Sequence, residues 1–400
     1  MSAATELPVR WLSCHVHYAC RHLGACCRSG WPLPVEHAAV AAIDAAVVRG
    51  KVWTVDGHAD WLDEAAHAPG DVRGTFRQAH GGCVFHVPAP PLTVRAGIRE
   101  RYCGLHAGVG HAALPSSCQH FPRICLVDDR GVRVSLSHYC PTAAAMLVDH
   151  DAPVAIVDGP PPVPGRAVPE GLDARGQLPP RLTDRVLMDL DGLTAWEAHV
   201  VAVLAGAGAE ASPERAVARV AADATRLTGW LPASGRSLAA AVAALPAEGR
   251  GDDIDVAAAG LADAATWPAW SDAAADACRG PWVPDPPPPD LAALDARFVT
   301  PVWAAFAPAA GRYLAARAFG AWITWQADAA VSLATWLTLC HAVLRIECAR
   351  ACAGAGRALD RDLLVAAIRQ ADLCLVHYAG PFGKSLSIAQ VRPSKRSRSQ

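Results

Sequence analysis

The chain lacks several things that would place it quickly. Charged residues make only 18% of its 400 positions, and the net charge is −2. So little charge, so evenly balanced, gives no overall pull toward nucleic acid or an anionic membrane. The opening residues show no basic start, apolar run and small-residue cleavage site, so no secretory leader is read there. No apolar run reaches the roughly 20 residues of a membrane span, because Asp328 and His341 interrupt the most apolar stretch, 318–344. A buried core helix is expected there instead, and a cytoplasmic protein without nucleic-acid or membrane partners. Nor is there a complete dinucleotide-binding loop. Val200–Gly208 ends Gly206-Ala-Gly208 without a third glycine, and the helix signals of Thr194 and Glu197 precede it.

Cysteine is absent between residues 141 and 277, which matters more than the total of 14. Nine cysteines lie before 141: Cys14, Cys20, Cys26, Cys27, Cys83, Cys103, Cys118, Cys125 and Cys140. The other five, Cys278, Cys340, Cys348, Cys352 and Cys374, sit mostly in apolar helical sequence and read as core filler. In a reducing compartment the first group argues for metal or redox chemistry rather than disulfides.

Seven of the nine stand in loops with Gly, Pro and His: Cys20, Cys26, Cys27, Cys83, Cys103, Cys118 and Cys140. Thiolates are soft ligands for zinc and iron–sulfur clusters, and four suffice for either. Seven exceed one tetrahedral site, and the adjacent pair Cys26-Cys27 favours a cluster or two neighbouring ions. His22, His106 or His138 would complete a second ion. Cys125 lies in an apolar strand and is left out; Cys14 is undecided. Arg123 reads equally as a partner for thiolate charge and as a surface ion pair, while Trp31 reads as a packing residue.

Hydrophobic pattern and turn chemistry give the organisation. Pro34 opens an expected helix over 35–48. Residues 83–87 read as a short strand. Two strands, 124–127 and 132–136, flank Asp128-Asp129-Arg130-Gly131, a hairpin signal. Pro141 opens a helix over 142–148, which sets Cys140 at a helix start. A Pro-rich linker or surface crossing follows, and from 186 onward the chain reads as helical. Thr194 with Glu197 is expected to form a capping box, and Ser212-Pro213 starts a further helix. Leu333, Trp336, Leu337, Cys340 and Leu344 recur at the spacing of a buried helix face. The fold expected is mainly α: a cysteine-rich metal domain with short β hairpins and loops over 1–158, a linker over 159–186, and an all-helical domain over 187–400 with a Pro-rich break at 280–290 and a basic tail at 391–400.

The ordered motifs carry a resemblance. Cys20-Arg-His-Leu-Gly-Ala-Cys26-Cys27 resembles the opening motif of the YkgJ-type cysteine-cluster family, named for zinc or iron chelation. Cys83-Val-Phe, Tyr-Cys103-Gly-Leu-His, Leu-Pro-Ser-Ser-Cys118-Gln-His-Phe-Pro-Arg123 and Leu-Ser-His-Tyr-Cys140-Pro-Thr follow in the family's order. They are most similar to its branch of FliB-like flagellin lysine N-methylases, and Arg312 and His377 extend the likeness into the C-terminal helices. Leu23 stands where that opening motif has a second cysteine. The resemblance implies an iron–sulfur cluster, [4Fe–4S] or else zinc, S-adenosylmethionine as donor and a lysine-bearing, flagellin-like protein as substrate. A Gly-rich donor loop and the C-x-x-x-C-x-x-C triplet of radical enzymes are both missing. Two non-catalytic readings stand beside the enzyme: metal chelation or delivery, and electron transfer.

Overall fold

Val9–Leu12 (β1) is the first strand in a computed structural model that describes residues 7–57, 60–64, 70–88, 101–164, 169–206, 212–246, 252–277 and 285–378. Pro34–Glu36 (β2) follows, then His37–Val48 (α1). The helix therefore begins two residues later than the 35–48 expected from Pro34. Val35 and its neighbours pair antiparallel with Val72–Phe76 (β4), which also takes Leu62–Glu64 (β3) on its other edge. Strand pairing outcompetes helix initiation here because it puts Val35, fully buried, into the core.

Short elements then succeed one another: Gln78–Ala79 (β5), Gly82–Cys83 (β6), His86–Pro88 (β7), Arg101–Cys103 (β8), Gly104–Val109 (α2) and Ser116–His120 (α3). The strand expected over 83–87 is thus two pieces with separate partners: β6 pairs with β5, and β7 with β8. Val35, Ile43, Trp61, Phe76, Val84, Phe85, Leu105 and Cys83 make the small core under them.

The expected hairpin is present. Arg123–Asp128 (β9) and Gly131–Leu136 (β10) pair antiparallel from Gly131 opposite Asp128 to Leu136 opposite Arg123. Gly131 holds φ at +116°, and the backbone oxygen of Pro8 occupies the place its Cβ would take. Pro141–Asp149 (α4) follows with its proline in the first turn. Ile156–Asp158 (β11) and Gly171–Asp173 (β12) complete a five-stranded mixed sheet in the order β11-β1-β10-β9-β12. The Pro-rich stretch therefore contributes an edge strand, parallel to β9, and is docked on the sheet at that point.

Arg181–Thr183 (β13) and Val186–Leu187 (β14) form a last ribbon before the helices. Leu190–Ala205 (α5) is capped by Asp189, whose carboxylate accepts from the Gly192 N–H. This corrects the capping box placed at Thr194 and Glu197. Thr194 lies inside the first turns and its hydroxyl donates to the Leu190 carbonyl at 2.8 Å. Glu197 instead accepts from Arg133 at 2.8 Å and from the Gly320 N–H, tying α5 to the sheet. Pro213–Leu227 (α6) is capped by Ser212 as the sequence suggests. Gly208 and the basic tail at 391–400 lie outside the described residues; Gly206 closes α5 and follows no strand.

Leu238–Ala243 (α7), Asp252–Ala262 (α8), Trp267–Ala277 (α9), Leu291–Leu294 (α10), Trp303–Ala318 (α11), Ile323–Gln326 (α12), Val331–Ala355 (α13) and Arg361–Asp372 (α14) follow. With about 53% helix against 15% strand, the fold is mainly α, small sheets in the N-terminal half and helices in the C-terminal half. The apolar stretch 318–344 is divided, because α11 ends before Phe319 and α13 begins at Val331. α13 alone is long and apolar enough to cross a membrane among the described residues, and 78% of its most apolar window is buried. Its Leu333, Trp336, Leu337, Cys340 and Leu344 all face the large core. Each such fully buried apolar side chain contributes on the order of 2 kcal/mol. That core also takes in Leu12, Cys14, Ala144 and Leu147, so it runs across the division the composition suggests near 159–186.

Two buried polar clusters fix the helices. Arg345 donates to Glu214 at 3.1 Å and to both oxygens of Asp295 at 2.8 Å, between the rings of Trp267 and Trp303. His341 pairs with the same Glu214 oxygen at 3.0 Å. Against the sheet, Asp372 accepts from Tyr313 at 3.1 Å and from the His138 backbone and ring.

Candidate metal centre

All seven cysteines singled out in the sequence line one cavity of about 250 Å³. Their arrival there has local causes. Cys26 and Cys27 sit on a single 3-10 turn, held by the Ser29 hydroxyl donating to the Cys26 carbonyl at 2.8 Å. Cys83 ends β6, which is only two residues long. Cys103 ends β8 and becomes the N-cap of α2, its sulfur accepting from the His106 N–H at 3.4 Å. Cys118 lies in the short helix α3, which Glu36 anchors by accepting from the Ser116 N–H at 3.1 Å. Cys140 caps α4, and its sulfur lies 3.5 Å from the Tyr18 hydroxyl. Cys20 is exposed, on the loop between Tyr18 and the Cys26 turn.

The approach of that loop is sterically demanding. His22 adopts φ of +55°, unusual for a residue with a side chain, and Gly24 adopts +68°. A Cβ on Gly24 would run into the ring of His86. Leu23 between them lines the cavity at the place where the resembling motif has cysteine.

The thiols are unequal. Cys27 lies beside Cys103, Cys26 and Cys83, and these neighbours, with burial, raise its thiol well above the ordinary value. Cys103 moves the other way, lowered chiefly by the bond from Cys27, with the His106 and Leu105 N–H groups helping. Burial raises Cys118, and nearby Cys26, Cys103 and Cys83 add to that. Among the described residues no group of three His, Cys, Asp or Glu side chains is arranged to hold a metal ion. The sulfurs are spread along the cavity wall rather than gathered at one point.

Histidines complete the lining. His22 and His106 have ring centroids 4.1 Å apart, and His106 and His111 5.6 Å. Burial, then His22 and His111, hold His106 down to about 4, so it is a neutral imidazole at neutral pH. His138 is elsewhere. Its ring is buried between Asp372 and His15, 3.1 Å from one and 3.2 Å from the other, and it is not among the cavity-lining residues. The reason is Asp372 on α14, whose carboxylate takes both the His138 backbone N–H and its ring. His111 and Tyr18 line the cavity as well, although the sequence pattern does not mark them as site residues. Tyr18, two residues before Cys20, carries a usable signal; His111 does not.

The remaining cysteines are packing groups. Cys340, Cys348 and Cys352 are fully buried in α13, and burial lifts Cys14 and Cys125 to about 12. Cys278 lies outside the described residues. Trp31 stacks on His377 at 4.4 Å and meets Tyr139 edge-on at 5.5 Å, a packing role.

No protein-family model, curated protein or solved structure matches the chain. The likeness to the cysteine-cluster family therefore rests on the ordered motifs alone.

Proposed function

We propose that this is a metal-binding cysteine-cluster protein whose cavity holds an iron–sulfur cluster. The observation that carries the reading is that seven cysteines spread over residues 20–140 line one cavity. The donor set fits: soft thiols, three buried, three half-buried and Cys20 exposed, with Cys26, Cys83 and Cys103 the neighbours that act on Cys27. These four are the nearest ligands, and Cys118, Cys20 and Cys140 are the further ones. A single zinc ion needs four donors at about 2.3 Å from one centre. Sulfurs more numerous than four and dispersed around a cavity favour a larger group. When bound, such a cluster supplies one-electron chemistry or an electrophilic iron site. The chain's own residues exclude water from it through Leu23, Leu33, Phe85 and Leu105.

The test is anaerobic purification with iron, sulfide and zinc analysis beside an absorption spectrum. Iron with matching sulfide and a visible band that bleaches on reduction is the expected result. Zinc alone would replace the cluster by a chelating or structural site, and a metal-free protein would end the reading. The motif resemblance adds a finer proposal, an S-adenosylmethionine-dependent N-methylase of lysine on a flagellin-like protein. Donor binding and methyl transfer to a lysine-bearing protein test it separately; a cluster without either activity leaves electron transfer.

A further inference from the structure

We propose that Arg123 forms an anion subsite on the wall of the cysteine cavity, shaped for a small oxyanion such as a carboxylate or a phosphate. The inference stands whether or not the cavity holds metal.

Arg123 opens β9 and lines the cavity. Its guanidinium lies over the Tyr18 ring at 5.3 Å and gives one hydrogen bond, to the Gln119 carbonyl at 3.3 Å. His111 holds the same carbonyl from the other side at 3.2 Å. The Arg123 Nε is buried and has no hydrogen-bond partner among the described residues. Among those residues no carboxylate forms an ion pair with the half-buried Arg123, whereas the buried arginines Arg133, Arg317 and Arg345 each have one. The groups whose charge acts on Arg123 are the phenol of Tyr18 and the thiols of Cys125, Cys20 and Cys140, which are acids only when ionised.

A guanidinium keeps its charge under any burial and presents N–H groups in a planar fork. Leaving one buried without a counter-charge is costly, and an unpartnered buried N–H adds to the cost. An oxyanion at the terminal nitrogens that face the cavity supplies the missing counter-charge, two oxygens matching the two ends of the planar group. The cavity gives that anion room and a path from solvent beside Cys20.

The experiment is calorimetric titration of the full chain with inorganic phosphate and with succinate, at fixed ionic strength set by chloride. Wild type should bind one of the two saturably with one site per chain. Arg123→Gln should lose at least tenfold in affinity at unchanged metal content. Arg123→Lys, which keeps the charge without the fork, should fall between them and covers the case in which the glutamine variant does not fold. Arg175→Gln, at an exposed pair with Asp173, should bind as wild type does. Absence of saturable binding in wild type, or wild-type affinity in both Arg123 variants, would overturn the proposal. Loss of metal from the variants with no anion binding in wild type would assign Arg123 to thiolate charge instead, and would also overturn it.

Discussion

The Tyr18 hydroxyl and the Cys140 sulfur lie 3.5 Å apart across 122 residues of sequence. That contact joins the loop before Cys20 to the first turn of α4, and so closes the cavity on the side of the five-stranded sheet. The opposite wall belongs to the small sheets that carry Cys83 and Cys103. The cavity therefore exists only when both halves of the N-terminal region are folded against each other.

Cys118→Ala and Cys348→Ala should separate the two cysteine populations. Cys118 lines the cavity, so its removal should strip most of the metal and lower the melting temperature, since binding and folding are coupled at such sites. Cys348 is fully buried in α13, and its alanine variant should keep full metal content at a cost of about 1–2 kcal/mol. Metal-to-protein ratios measured anaerobically, beside thermal melts, check this. Equal metal content in the two would mean the cavity cysteines are not ligands.

Gly24→Ala should damage the site without touching a cysteine. The residue sits at φ of +68°, and a methyl group there meets the His86 ring. The strained backbone and the clash together should destabilise by about 1–3 kcal/mol. Cys20 and the Cys26 turn, on either side, should lose their position. Urea unfolding and metal content should fall together; a variant with wild-type values in both would show that this loop does not position the thiols.

Acid should unfold the protein in two stages. Burial holds His377 at about 4 against an ordinary 6.5. An unfolded chain then takes up a proton that the folded one refuses, so stability falls as pH drops from about 6.5 to 4. Asp372 is held at about 2: burial opposes this, and Arg317 and His138 outweigh it. Its contribution is present above about 4 and is lost as pH falls toward 2, roughly 2 kcal/mol in all. Urea midpoints across pH should show both slopes. His377→Asn should make the upper slope shallower without abolishing it, because His106 and His86, also held at about 4, contribute to it as well, and Asp372→Asn should remove the lower.

Glu214→Ala should be among the most damaging changes in the helical half. Glu214 is held at about 2 against burial by His341 and Arg345. Removing it leaves Arg345 with Asp295 and Thr300 alone, and leaves the Nε2 of His341 and the indole N–H of Trp303 without the oxygen both now reach. The expected loss is about 3–5 kcal/mol. Metal content of the folded fraction should be unchanged, because no member of this cluster lines the cavity. A loss below 1 kcal/mol in chemical unfolding would refute the account.

Part of this molecule is written in short-range signals. Turn chemistry at 128–131, the prolines at 141 and 213 and the serine at 212 each act within a few residues, so β9, β10, α4 and α6 are legible in the amino-acid sequence by itself. The seven cysteines that share the cavity are legible as a group from their Gly, Pro and His neighbours, although Cys27, Cys83 and Cys140 also pack in hydrophobic clusters, which only the fold shows. Other features depend on partners far along the chain. β2 is a strand because β4 is there to pair with it, and Glu197 serves Arg133 rather than a helix start because the sheet lies against α5. His138 turns to Asp372 and His15 instead of the cavity because a buried carboxylate 234 residues away outweighs sequence proximity to Cys140. Which thiols become neighbours, with Cys27 beside Cys26, Cys83 and Cys103, likewise needs the fold. Spacing along a chain says which sulfurs are available; only packing sets which of them touch, and hydrogen bonding and burial act through those contacts.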